Sequence, residues 1–180
     1  MAGLRTMKRR RRENKTDYKL RESLLKSEIP RIVIRRSNKY FVIQAVESHE
    51  AQDKVTATIT SRELLKNGWD AKMGGSLKSI PAGYLTGMLL AKKLSTRNSV
   101  PSKKGSNEPT SSGKGKFIID LGMARTKSGS RVFAVVKGLI DGGLDISANG
   151  KVFPSEGRLN GEHMKDDVKT MIAKVKGGLK

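Results

Sequence analysis

The chain has 180 residues, with 37 Lys+Arg against 17 Asp+Glu, a net charge of +20 and no cysteine. That length suits one domain with a real core plus extensions, and the charge excess excludes an ordinary cytosolic enzyme, because it would draw in nucleic acid non-specifically. The missing thiols exclude zinc ribbons, disulfide scaffolds and thiol nucleophiles and are compatible with a reducing cytoplasm.

In chain order, the first segment is Leu4 to Arg21, where Lys8 is followed by four consecutive arginines, Arg9 to Arg12. It has no apolar face to bury and repels itself, so alone it is expected to be disordered and to order on a polyanion. The run is also compatible with a basic nuclear-type signal. Asp17 to Lys26 reads as a short helix, with Leu20, Leu24 and Leu25 at helical spacing and Thr16 or Asp17 capping its first turn. Pro30 ends that pattern, and the period changes.

Arg31–Arg36 and Tyr40–Val46 are rich in β-branched residues and predict two strands, joined at Ser37-Asn38-Lys39 with Asn38 in the left-handed conformation. Lys54–Thr60, alternating Val55, Ala57 and Ile59 with threonines, predicts a third, and the three make an antiparallel meander. Ser61–Lys66 is a short capped helix stopped by Asn67-Gly68, and Trp69 is expected to plug a core edge.

Ser79–Leu94 predicts the strongest helix, with Ser79 as cap and Pro81 in the first turn. Gly83, Gly87 and Ala91 form one smooth row. Each helical glycine costs about 1 kcal/mol, which implies close backbone approach, here expected against the sheet. Ser95–Lys116 is a polar, basic loop of a length uncommon inside a compact domain unless functional or disordered. Phe117–Leu121 predicts a buried strand, Arg131–Ile140 a helix, Leu144–Ile146 a short extended piece, and Asn160–Val175 a C-terminal helix with a frayed Gly-Gly-Leu-Lys end.

The expected fold is α/β, a mixed sheet built from the three-stranded meander plus a further strand and flanked by helices. The chain is expected to divide into a basic arm (1–16), an α/β domain (17–150) with a basic flexible loop at 97–116, and a C-terminal helical extension (151–180), the first two being the segments expected to bind a polyanion.

Nucleic-acid binding has the best support. Residues 1–40 hold fourteen Lys/Arg against four acids, half the net charge. Arginine dominates the arm, and its planar fork suits phosphates and base edges. Arg35, Arg36 and Lys39 lie on or beside the first hairpin, and alternation sends Arg35 and Arg36 to opposite faces of the sheet. Tyr18 and Tyr40 are interleaved with the charge, as residues that stack unpaired bases are. The alternatives are weaker. A membrane-surface helix needs bulky apolar anchors, and the basic run offers Leu4 and Met7. There is no run of about 18 apolar residues and no apolar segment behind the basic N-terminus, so neither a membrane span nor a signal peptide is expected. The protein is expected to be soluble and intracellular. A metal-dependent nuclease would use Asp120, Asp141 and Asp145, but these lack a nearby His or Glu, and no cofactor or metal is expected. These physical signals leave DNA and RNA open, although an arginine-rich arm beside an α/β body is commoner among RNA binders.

Several blocks carry a resemblance. They are Arg9 to Tyr18 (RRRRENKTDY), Pro30-Arg31 with Ser37-Asn38-Lys39, Tyr84 to Ala91 (YLTGMLLA), Asp120-Leu-Gly122, Lys137-Gly138 and Asp141 to Ile146 (DGGLDI), in that order. Together they resemble the universal large-subunit ribosomal protein family eighteen in its archaeal form, the 5S rRNA-binding ribosomal family. The resemblance implies a ribonuclease H-like topology without the nuclease activity, and a cytoplasmic place in the ribosome. It also implies a structural role in the large ribosomal subunit, joining 5S rRNA to the large-subunit rRNA in the central protuberance beside neighbouring ribosomal proteins. The residues it implies for RNA contact are Arg5, Lys8, Arg9, Arg10, Arg11, Arg12, Lys15, Thr16, Tyr18, Lys19 and Arg21 on the arm and first helix, and Arg35, Arg36, Asn38, Lys39 and Tyr40 at the hairpin. A non-ribosomal RNA-binding or RNA-chaperone module is the alternative.

Overall fold

The computed structural model describes residues 6–49, 52–70, 72, 77–96 and 116–179. Arg9–Arg12 forms one helical turn, α1, and α2 runs Tyr18–Lys26. The meander follows as β1 (Arg31–Arg36), β2 (Phe41–His49) and β3 (Gln52–Thr60), with a 3₁₀ helix at Ser61–Asn67. Then come α3 (Ile80–Thr96), β4 (Lys116–Asp120), α4 (Arg131–Asp141), β5 (Asp145–Ile146), a 3₁₀ turn at Gly150–Val152, α5 (Glu156–Asn160) and α6 (Asp166–Leu179). The expected loop lies outside the described residues at 97–115; Lys116 opens β4.

The sheet has five strands in the order β3-β2-β1-β4-β5. The meander is antiparallel, whereas β4 pairs parallel with both β1 and β5. This is the expected mixed α/β sheet, with the strand order of a ribonuclease H-like topology. Its inner face, carrying Ile32, Ile34, Phe41, Ile43 and Ile59, packs with Val135 and Leu139 of α4 and Leu90 of α3. On the far side of α3 a second cluster joins Leu64, Trp69 and Leu85 to Val168, Ile172, Val175 and Leu179 of α6. Helix α3 therefore lies between two apolar layers and is buried nearly all round from Pro81 to Met88, as a helix apolar on every side must be.

Trp69, 3% exposed, sits in the second cluster as expected. Other expectations are corrected. The row Gly83, Gly87, Ala91 faces α4 rather than the sheet: a Cβ on Gly87 would meet Leu139 N at 3.0 Å and the Gly138 carbonyl carbon at 3.1 Å, and Ala91 abuts Gly142. Gly83 alone also reaches the sheet, at Phe41. The C-terminal segment is two helices, because Gly161 at φ +75° closes α5 and α6 starts at Asp166. The Gly-Gly-Leu end is not frayed; α6 continues through Gly177 and Gly178 to bury Leu179, and Lys92 Nζ donates to Gly178 O at 3.0 Å.

The arginine run also has structure of its own. Glu13 and Lys15 donate backbone N–H to the Arg9 and Arg10 carbonyls, and Asn14 turns the chain at φ 51°. The turn from β1 to β2 does not use a left-handed Asn38; among the described non-glycine residues only Asn14 and Glu28 have positive φ. Ser37 shapes it instead. Its Oγ accepts from Tyr40 N at 3.0 Å and donates to Tyr40 O at 2.8 Å.

One irregularity shapes the outer sheet face. Ala45 pairs with Ala57, but Val46 pairs with Val55, so Thr56 is an extra residue in β3. A one-residue insertion inverts the side-chain parity beyond it. Val55 is therefore not on the face of Ala57 and Ile59, as simple alternation predicts, and it is 48% exposed. Asp53 is brought opposite Ser48, onto the outer face with Arg31.

Candidate nucleic-acid interface

The interface is built outward from α2. Asp17 is its N-cap, and one carboxylate oxygen accepts from Lys19 N at 3.0 Å and Leu20 N at 3.2 Å. This is the capping role the Thr-Asp-Tyr block predicts; Asp17 serves and Thr16 does something else. Thr16 Oγ1 accepts from Arg10 Nε at 2.9 Å, folding the arginine turn back onto the start of α2. Glu13, the one acid in the arm, pairs with Lys15 at 2.8 Å and Arg9 at 3.8 Å, which lowers the self-repulsion that would keep a bare arginine run extended. Lys8 lies 4.5 Å from the centre of the Tyr18 ring, a cation–π contact that occupies one face of it.

Arg11, Arg12 and Lys19 are exposed and make no ion pair among the described residues. Arg5 lies outside the described residues. The arm thus presents clustered cations on a short curled backbone, closed against the body at a cleft of about 130 Å³ lined by Arg10, Lys15, Thr16, Arg21, Arg35 and Asp120. Arm, α2 and sheet meet there.

Arg35 and Arg36 diverge as alternation requires. Arg35 points to the outer face, where its Nη2 is 3.1 Å from both Asp120 carboxylate oxygens and its Nη1 donates to the Asp120 carbonyl at 2.8 Å. Gly122, at φ +58°, lets the guanidinium lie flat against the backbone, since a Cβ there would come within 3.0 Å of Arg35 Cζ. Asp120 also accepts from Gly122 N at 2.8 Å, so it satisfies a turn. Both terminal nitrogens of Arg35 are therefore engaged within the protein, leaving Nε–H as its donor without a partner among the described residues. Arg36, Asn38 and Lys39 are exposed at the hairpin end. Tyr40 is half-buried and covered on one face by Arg62 at 4.4 Å.

Three further residues matter here. Arg31 is 2% exposed and bonds Asp53 at 2.7 Å and Ser48 at 2.9 Å, with Asp120 at 3.7 Å. Asp53 also takes Arg21 of α2 at 2.9 Å. Burial alone would raise the Asp53 pKa, but hydrogen bonds from Ser48 and Arg21 and the charges of Arg31 and Arg21 outweigh it and hold the carboxyl below the ordinary aspartate range. Arg62 was masked in the sequence by its place in a helix, whereas Arg31 had a signal: it shares parity with Arg35 along β1. Asp53 had none, because the bulge that carries it to the outer face leaves no mark on the alternation.

The aspartates that invite a nuclease reading do not converge. Asp120 is held by two arginines, and Asp141 by Tyr84 Oη at 3.0 Å and Lys137 at 2.7 Å. Among the described residues no group of three His, Cys, Asp or Glu could hold a metal ion, and no helix is long and apolar enough to cross a membrane.

A mixed α/β body with a cationic arm folded against its sheet is the architecture of a protein that binds a polyanion. A family model described as ribosomal large subunit proteins 60S L5 and 50S L18 matches residues 4–149, and the chain belongs to this family of structural ribosomal proteins, which are not enzymes. The chain is 40% identical over 156 residues to the large ribosomal subunit protein uL18 of Methanoregula boonei, covering 87% of this chain and 79% of that one. The protein of the same name from Korarchaeum cryptofilum is also 40% identical, covering 87% of this chain and 70% of its own length. That from Methanothrix thermoacetophila is 35% identical over 158 residues, covering 88% and 82%.

Proposed function

We propose that the chain binds 5S rRNA and joins it to the large-subunit rRNA in the central protuberance of the ribosome, in contact with neighbouring ribosomal proteins. The observation that carries this reading is the junction of arm, α2 and β1, where Arg10, Lys15, Arg21 and Arg35 line one cleft while Arg11, Arg12 and Lys19 stay exposed beside it. Exposed cations neutralise phosphates and supply affinity; those fixed by Thr16, Asp53 and Asp120 set the geometry in which a particular RNA fits. Residues 1–16 act as the arm and 17–150 as the RNA-binding body, with 151–180 an extension braced on α3.

Arg5, Lys8–Arg12, Lys15, Thr16, Tyr18, Lys19 and Arg21 follow one RNA strand, and Arg35, Arg36, Asn38, Lys39 and Tyr40 meet it at the sheet. Tyr18 and Tyr40 each carry a cation on one face, and because Tyr40 also packs against the second apolar cluster, Tyr18 is the better placed of the two to stack a base. The test is competitive binding of 5S rRNA against tRNA at about 0.15 M salt. Selective retention of 5S rRNA is expected; equal affinity for both RNAs points instead to a general RNA-binding module.

A further inference from the structure

Helix α2 joins the arginine arm to the body, yet none of its residues is buried. Leu20 is exposed, and Leu24 and Leu25 are only half-buried. Apolar packing alone cannot fix the angle of a helix so lightly seated. What ties it to the sheet is Arg21, whose guanidinium meets Asp53 at 2.9 Å across 32 positions of sequence. Asp53 is in turn immobilised from beneath by Ser48 at 2.6 Å and by buried Arg31 at 2.7 Å. Arg31 continues to Asp120, and Asp120 to Arg35. The result is an alternating ladder, Arg21–Asp53–Arg31–Asp120–Arg35, running from the foot of the arm across β3, β1 and β4. Neither carboxylate is suited to a phosphate contact, since both carry the same charge as the RNA backbone. Their place is to hold guanidiniums.

We propose that Asp53 is a positioning residue for RNA recognition: by clamping Arg21 it fixes the direction in which the arginine arm leaves the body. The proposal rests on the 5S rRNA reading above. Its consequence runs against simple electrostatics. Removing a negative charge from a phosphate-binding protein strengthens attraction by Coulomb's law, whereas loosening a pre-set arm makes RNA binding carry the entropy of ordering it. Here the second effect wins for the specific RNA and the first for any other.

The experiment uses the full chain, whose lack of cysteine allows paired spin labels at Met7→Cys on the arm and Leu65→Cys on the body, both exposed. A single narrow distance distribution is expected without RNA, broadening in Asp53→Asn and in Arg21→Gln. The second variant leaves the Arg31–Asp53 pair intact, so it reports on the clamp even where Asp53→Asn disturbs folding. Asp53→Asn should also lose about fivefold to tenfold in preference for 5S rRNA over tRNA, with tRNA affinity equal or higher. Unchanged distance distributions in both variants overturn the clamp, as does a preference for 5S rRNA that Asp53→Asn leaves intact. If the unaltered protein shows no such preference, the RNA reading fails by itself, and the spin-label distances still decide whether Asp53 holds the arm.

Discussion

Gly138→Ala tests the closest packing between the two central helices. Gly138 lies in α4 against the backbone of α3; an added Cβ would overlap Tyr84 O and come within 2.9 Å of Tyr84 C and 3.2 Å of Met88 N. Gly87 answers from the other helix, its Cβ position overlapping Val135 O. Backbone cannot rotate away as a flexible side chain can, so the helices must separate, and α3 cannot retreat because the second cluster fills its far side. Overpacking costs about 1–3 kcal/mol, with the upper end apt where the obstacle is backbone. Alanine returns about 1 kcal/mol of helix propensity. The net expectation is a destabilisation of about 2 kcal/mol, read in urea unfolding, and a melting temperature lower by roughly 4–8 °C for a chain of this size. Gly177→Ala is the control. That site in α6 has nothing within 4 Å of the added Cβ, so the same substitution should stabilise by about 0.5–1 kcal/mol. A Gly138→Ala protein as stable as the original refutes the idea that glycine sets the α3–α4 spacing.

Three more outcomes rest on the ionic and polar groups. Asp53 has a folded pKa below its unfolded one, so its contribution to stability is complete above the unfolded value and is lost as pH falls through the folded one; urea midpoints should drop below about pH 4, and less steeply in Asp53→Asn. Tyr84 behaves oppositely: burial, then its bond to Asp141, raises its pKa, so its contribution holds below its unfolded value near 10 and fades at more alkaline pH. Tyr84→Phe should cost about 1–2 kcal/mol at neutral pH and abolish the late phase of phenolate absorbance in an alkaline titration. Deleting residues 1–15 should lower the slope of log affinity against log salt by roughly 0.7–0.9 for each phosphate that the arm neutralises; an unchanged slope and affinity mean the arm is not the binding element.

The elements were legible because each is written in local physics. β1 announces itself in Arg-Ile-Val-Ile-Arg-Arg, α2 in the Asp17 cap, and α4 in a valine-rich stripe that only burial could hold helical. What sequence could not supply was partnership. Two glycines on one face of α3 declare a close neighbour, but α4 and the sheet satisfy that demand equally well on paper; only the register of Gly138 and Gly142 against Gly87 and Ala91 decides it. The break at Gly161 was hidden for a related reason, since the apolar spacing from Met164 onward marks α6 but not the position of its first turn.

The candidate site divides the same way. Its cations could be counted from the chain, and the outward face of Arg35 followed from alternation, but the acids that arrange them could not be found. Asp53 reaches Arg31 only because Thr56 inserts one residue into β3; without that insertion Asp53 would pair across from His49 and point to the opposite face, and Arg31 would keep the Ser48 hydroxyl but have Asp120, at 3.7 Å, as its carboxylate partner. A buried guanidinium so weakly paired is costly. The bulge is therefore what permits Arg31 to sit inside β1, and Arg31 is what holds the carboxylate on which α2 and the arm are anchored. On the proposed reading, the affinity of the arm is written in four consecutive arginines, whereas its direction depends on one inserted threonine some forty positions away.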